Sequence, residues 1–204
     1  MVGRVDKIGP EVSGIEHGQL VAALTVFGSY SQYICLPAHE LIALPAGIDP
    51  AEAVCLVLSY VTAYQMLHRM AHVKPGERIL VHGAAGGVGT ALLQLGALAE
   101  VEMYGTVSQG KHKLVAGLGA TPIDYKTEDF VKRILTLTGD GVDVVFDPIG
   151  GTHLNQSFQT LRKGGRLVAY GFSSVREHDG NPLLSIIWQS IRLMIWSLSL
   201  AGKK

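Results

Sequence analysis

The stretch Arg78-Ile79-Leu80-Val81-His82-Gly83-Ala84-Ala85-Gly86-Gly87-Val88-Gly89-Thr90-Ala91-Leu92-Leu93-Gln94-Leu95 decides the fold. Ile79, Leu80 and Val81 are apolar and β-branched at two of three positions, which predicts a strand buried inside a parallel sheet. Gly83, Gly86 and Gly89 follow at three-residue spacing, and Gly87 adds a fourth glycine. Glycines so placed turn the chain tightly, let backbone approach a pyrophosphate and let a helix pack close to its strand. Val88, Ala91, Leu92 and Leu95 then form one helical stripe, so a helix from about Val88 aims its free amides and positive dipole end at the turn. A second strand is expected at 101–107. In this context the glycines predict a dinucleotide site; alone they would mark only a tight turn.

The end of the second strand bears on which dinucleotide. It reads Thr106-Val107-Ser108-Gln109-Gly110-Lys111-His112-Lys113. NAD-preferring sites place a carboxylate there to accept from the ribose 2′-hydroxyl. Here a hydroxyl and two lysines stand instead, so a 2′-phosphate finds partners and a diol finds no acceptor. NADPH is therefore expected over NADH; the alternative is that Lys111 and Lys113 are a solvated helix start. Further strands are expected at 122–125, at 141–148 and at 166–172, with helices at 128–137 and 154–161 and a turn at Lys163-Gly164-Gly165. Their loops leave the sheet at the carboxyl edge, as the glycine loop does, and ligands bind at that edge. Tyr125 and Pro148 are thus candidate walls of a cofactor groove, or else core residues.

Composition sets the limits. The chain has 204 residues, 48% hydrophobic and 17% charged, with zero net charge, so it has ample core and no general pull toward nucleic acid or anionic membrane. Cys35 and Cys55 stand far apart with no CxxC pairing, which excludes a zinc lobe of three or four clustered ligands and predicts two buried, reduced thiols of a cytosolic protein. The apolar segment 182–200 carries Gln189, Arg192 and three serines, which favours a helix packed on another domain or subunit over a membrane span.

The chain before the glycine loop is less informative. Residues 1–9 alternate like a strand, and strand-like segments follow at 19–24 and 30–36, too few to close a core. Asp49-Pro50-Ala51-Glu52 is a helix start with a capping residue, a proline at the first position and an acidic third residue. That helix is expected to break near Ser59 and resume to Leu67. Thr62 within it is a candidate ligand contact, although a hydroxyl bonded back to its own helix is the commoner state. Lys74-Pro75-Gly76-Glu77 is the turn into the central strand.

These residues carry a family resemblance. Val61-Thr62-Ala63-Tyr64, Lys74-Pro75-Gly76-Glu77, the glycine loop, Gly117-Leu118-Gly119-Ala120 with Asp124-Tyr125, Gly141-Val142-Asp143-Val144-Val145-Phe146-Asp147 and Gly164-Gly165-Arg166-Leu167-Val168 occur in an order that resembles the zinc-free NADPH:quinone oxidoreductase (zeta-crystallin-like) group of the medium-chain dehydrogenase/reductase superfamily. The resemblance implies an α/β fold: a Rossmann-type doubly wound parallel sheet over 59–204, preceded by an incomplete GroES-like catalytic domain over 1–58. It implies hydride transfer from NADPH to a quinone or enone without metal, and a homodimer for the full-length form. Ala85, Gly86, Gly87 and Val88 would hold the pyrophosphate, Ser108, Lys111 and Tyr125 would surround the 2′-phosphate, and Phe172 would lie near the nicotinamide. Against the family pattern, the opening strands and last Rossmann strand are missing, so the chain looks truncated at both ends. Glu100 also stands where relatives end a helix with glycine, which weakens the expected helix stop. No Ser/His/Asp arrangement is evident, and His68, His72 and His82 have no evident partner. The alternatives to a quinone reductase are an enoyl reductase of polyketide or fatty-acid type and a non-catalytic NADPH-binding truncated form.

Overall fold

Strand pairing begins at the second residue. β1 (Val2–Arg4) pairs antiparallel with β2 (Leu20–Ala22), and β2 pairs antiparallel with β3 (Ile42–Ala43). The computed structural model describes residues 1–171 and divides into two units, Met1–Thr62 and a second that starts at Ala63. Phe172 and the apolar segment 182–200 lie outside the described residues.

Three expectations for the first unit fail. Residues 30–36 form no strand; Tyr30 and Tyr33 are among the most exposed large hydrophobic side chains of the described residues, so no sheet face buries them. Gly28 turns there with φ of +85°, and the Ser31 hydroxyl donates to the Gly28 carbonyl at 2.6 Å. The two cysteines are free thiols as expected, but both are exposed rather than buried. Cys55 lies on the outer face of its helix, where its thiol bonds back to the Ala51 carbonyl. That helix, α1 (Pro50–Cys55), starts as the sequence predicts, with the Asp49 carboxylate accepting from the Ala51 amide at 2.7 Å. It does not break at Ser59. A π-helical turn (Leu56–Tyr60) leads into α2 (Val61–Tyr64), and a second π-helical turn (Gln65–Met70) follows.

The second unit is a Rossmann fold. Its strands are β4 (Arg78–Val81), β5 (Glu102–Val107), β6 (Thr121–Asp124), β7 (Val142–Asp147) and β8 (Leu161–Ala169), all parallel and ordered β6-β5-β4-β7-β8. Chain order reverses between β4 and β7, the switch point at which such sheets bind ligands. The central strands are apolar because helices cover both faces: β7 is buried at all six positions. Leu80, Ile123, Ile134, Val145 and Leu161 form a core cluster with Phe130.

The helices are α3 (Gly87–Leu98), α4 (His112–Gly117), α5 (Phe130–Thr138) and α6 (His153–Gln159). The stop of α3 forms without glycine. Glu100 adopts φ of +55°, and the Val101 amide reaches back to the Gly96 carbonyl at 3.2 Å, as in a glycine-ended helix. Lys163, Gly164 and Gly165 are not a turn between elements. They lie inside β8, where pairing jumps from Val142 opposite Leu161 to Val144 opposite Arg166, a bulge that absorbs the extra residues.

Candidate functional site

The glycine loop sits where the sequence places it, between β4 and α3. Gly83 has φ of +63°, which makes the turn. A Cβ on Gly89 would strike the Gly83 carbonyl and come within 2.8 Å of the Ala84 Cα, so α3 packs this close only with glycine there. The Ala84 amide donates to the Thr106 carbonyl at 3.1 Å and ties the loop to β5. Gly86 caps α3 with no side-chain hydrogen bond, leaving first-turn amides for an anion. Gly86 and Gly87 are exposed, and Ala85 and Val88 are half-buried.

The other predicted residues of the second unit follow the carboxyl ends of its strands. Ser108, half-buried, follows β5 directly, and Lys111 and Lys113 are exposed just beyond it. Among the described residues neither lysine has an ion-pair partner. Tyr125 stands 56% exposed at the turn after β6, one strand farther out. Pro148, half-buried after β7, has its Cγ 3.7 Å from the point a Gly83 Cβ would occupy, so it touches the glycine loop. Thr62 is the half-buried last residue of the first unit. Hollows of about 560 and 610 Å³ in the first unit are lined within residues 1–43 and include none of these positions.

Beneath the loop lies a polar cluster that the sequence did not disclose. His82, Thr106, Asp147 and Ser157 are buried, and His153 is half-buried beside them. Ser157 Oγ donates to Asp147 Oδ2 at 2.6 Å and lies 3.1 Å from His82 Nε2, while His82 Nδ1 lies 2.9 Å from Thr106 Oγ1. His153 Nδ1 also reaches Asp147 Oδ2, at 2.9 Å, and its ring stacks on Phe130 with centroids 5.0 Å apart. Burial pushes His82 down to about 3, the nearby His153 adds to that, and Asp147 only partly opposes it. Burial would raise Asp147, but hydrogen bonds from His153 and Ser157 and the His82 side chain hold it at about 2.

Three side chains of this cluster, His82, Asp147 and His153, have donor atoms within 4.8 Å of one another, close enough to share an ion. Both ring nitrogens of His82 and both carboxylate oxygens of Asp147 are already hydrogen-bonded. A metal would have to displace the Ser157 hydroxyl. Nor is the cluster a nucleophilic triad. The serine is fully buried and gives its proton to the carboxylate rather than to the imidazole. The signal that could have found it is that Thr106, His82 and Asp147 each stand at the carboxyl end of an apolar strand, and the sheet order makes those three strands neighbours.

Comparison with known proteins fits this geometry. The family model described as zinc-binding dehydrogenase matches residues 87–200. The chain belongs to the medium-chain dehydrogenase/reductase superfamily. A superfamily structure of Escherichia coli quinone oxidoreductase complexed with NADPH superposes with a TM-score of 0.80 at 33% identity, over 85% of this chain and 54% of that one. The CurF ER cyclopropanase of the curacin A biosynthetic pathway superposes equally well, at 0.80 and 32% identity, over 85% of this chain and 52% of that one. The synaptic vesicle membrane protein VAT-1 homolog of Danio rerio is 34% identical over 90% of this chain but only 38% of its own length. This chain thus spans less than half of that curated relative. Among the described residues, no helix is long and apolar enough to cross a membrane.

Proposed function

We propose that this chain binds NADPH and serves hydride transfer to a quinone or enone without a metal. The observation that carries this is the carboxyl edge of the sheet, where β5 ends in Ser108 and Lys111 with no carboxylate, Lys111 has no ion-pair partner among the described residues, and the N-terminus of α3 has no side-chain cap. These residues fit the cofactor. Ala85, Gly86, Gly87 and Val88 would hold the pyrophosphate, with the first-turn amides of α3 as donors, and Lys111, with the Ser108 hydroxyl and Tyr125, would hold the 2′-phosphate. Pro148 would wall the nicotinamide half, and Thr62 and Phe172 are proposed contacts on the same cofactor. When bound, NADPH supplies the hydride. A reduced quinone takes its protons from solvent, so the chain needs no general acid for that acceptor. The first unit fits a partial GroES-like domain, and two separated cysteines argue against a structural zinc lobe.

Lys111→Ala tests the cofactor assignment. Losing one charge-assisted bond to a phosphate should weaken NADPH about tenfold or more while NADH changes less than about twofold. Titration of both cofactors, with quinone turnover on the same sample, reads this directly. Equal losses would remove Lys111 from the site. The likeness to the CurK enoyl reductase structure, at a TM-score of 0.77 and 29% identity over 97% of this chain and 66% of that one, favours a second reading, an enoyl reductase. That reaction protonates a substrate carbon, so product analysis with an enoyl thioester separates the two.

A further inference from the structure

The cluster under the glycine loop is too well connected to be inert filling. Its hydrogen-bond directions are fixed by counting protons. Asp147 is ionised and can only accept, so the single Ser157 proton goes to it, across 2.6 Å. Ser157 Oγ must then accept from His82 Nε2–H, and His82, neutral with that tautomer, must accept at Nδ1 from the Thr106 hydroxyl. The chain therefore runs one way, from β5 through β4 and α6 to the end of β7.

Each end of it holds a loop of the cofactor edge. At one end the Thr106 carbonyl fixes the Ala84 amide in the glycine loop. At the other, the second carboxylate oxygen of Asp147 accepts from the Ile149 amide at 2.7 Å and the Gly150 amide at 3.1 Å, which sets the turn after β7. Pro148 in that turn meets Gly83 on one side. On the other, a Cβ on Gly171, just past β8, would strike the Pro148 carbonyl.

We propose that the buried chain Thr106–His82–Ser157–Asp147 is a positioning device that locks the loop after β7 against the glycine loop and so shapes the nicotinamide half of the cofactor groove. Ser157 is its joint. The inference rests on the NADPH reading above and adds to it residues that touch no cofactor atom. It also makes the effect one-sided. In a sheet of this order the strands on the β5 side serve the adenosine half and those on the β7 side the nicotinamide half. Breaking the chain at Ser157 leaves Asp147 Oδ2 held by His153 alone, which loosens the carboxylate that sets the Pro148 turn, and leaves Ser108, Lys111 and the Thr106–His82 bond in place.

The test compares NADPH with 2′,5′-ADP, which carries only the adenosine half with its phosphate. Both are titrated into the full chain and into Ser157→Ala. The expected result is NADPH weakened about tenfold, the size of a lost hydrogen-bonded support, with 2′,5′-ADP unchanged within about twofold. A general loss of structure would weaken both ligands. Ser157→Cys, which keeps a weak donor at similar volume, should recover part of the NADPH affinity, and it replaces Ser157→Ala if that variant does not fold. Equal weakening of both ligands, or of neither, overturns the inference. A wild-type chain that binds neither overturns the cofactor reading beneath it, which is a separate and visible failure.

Discussion

The two edges of the parallel sheet are built by opposite means. At the amino edge, charge is paired with charge: Glu77 with Arg166 at 2.6 Å, Arg78 with Asp140 at 2.7 Å and Asp143 with Arg162. Asp143 also takes the Arg78 backbone amide at 2.8 Å, and the Arg78 guanidinium reaches the Thr138 carbonyl. At the carboxyl edge the rim is glycine and free amide, with Lys111 unpaired among the described residues, and the ordering contacts are hydroxyls, a neutral imidazole and the single ionised carboxylate of Asp147 buried beneath. An edge whose charges are spent on one another has little to offer a ligand. An edge held from below keeps its rim donors free. Changes at the amino edge should therefore alter stability without altering binding, and changes at the carboxyl edge should reach binding.

The largest departure is expected at Gly89. A methyl group there meets backbone, the Gly83 carbonyl and Ala84, so nothing can swing aside. Gly89→Ala should cost about 3 kcal/mol, the upper range for overpacking, and should abolish measurable NADPH binding because the loop must open. Urea unfolding and a cofactor titration check both. A variant that kept its affinity would show that loop and helix tolerate separation.

Acid should attack the carboxyl edge first. His82 titrates near 3 in the fold and near 6.5 unfolded, so between those values the unfolded chain binds a proton that the folded chain refuses. Stability from this group is complete above about pH 6.5 and falls as pH drops, by about 2 kcal/mol at pH 5. Asp147, held at about 2 against about 3.9 unfolded, is lost only below about pH 4. Unfolding curves at pH 7 and pH 5 should show that loss in the wild type and a flatter dependence in His82→Asn, whatever its baseline stability. An unchanged slope would assign the acid sensitivity elsewhere.

How legible each part was in the sequence follows from where its contacts lie. The parallel strands announced themselves because burial on both faces forces continuous apolar runs such as Val142 to Phe146. The glycine loop was legible because strand, turn and helix are consecutive. The three-residue and two-residue strands of the first unit were not, because pieces so short are defined by their partners, and 30–36 had the composition of a strand without one. The bulge in β8 read as a turn because Gly164 and Gly165 have turn chemistry. The buried cluster was hidden by distance along the chain, with Ser157 bonded to His82 across 75 positions. Only the sheet order brings such residues together.

The smallest effect is expected where the amino edge is broken. Glu77 is the sole ion-pair partner of Arg166 among the described residues, and its carboxylate also accepts from the Lys74 amide at 3.0 Å at the turn into β4. The side chains are 14% and 28% exposed, between the regime where a pair contributes almost nothing and the regime where breaking it is severe. Glu77→Gln keeps the shape and the turn bond but removes the charge, and should lower stability by about 1 kcal/mol. NADPH affinity should not move, because the altered edge lies at the far end of the strands from the glycine loop. Urea unfolding paired with the same titration decides it. A Glu77→Gln variant that lost cofactor affinity would mean that the two edges communicate through β4, and the division of labour between them would not hold.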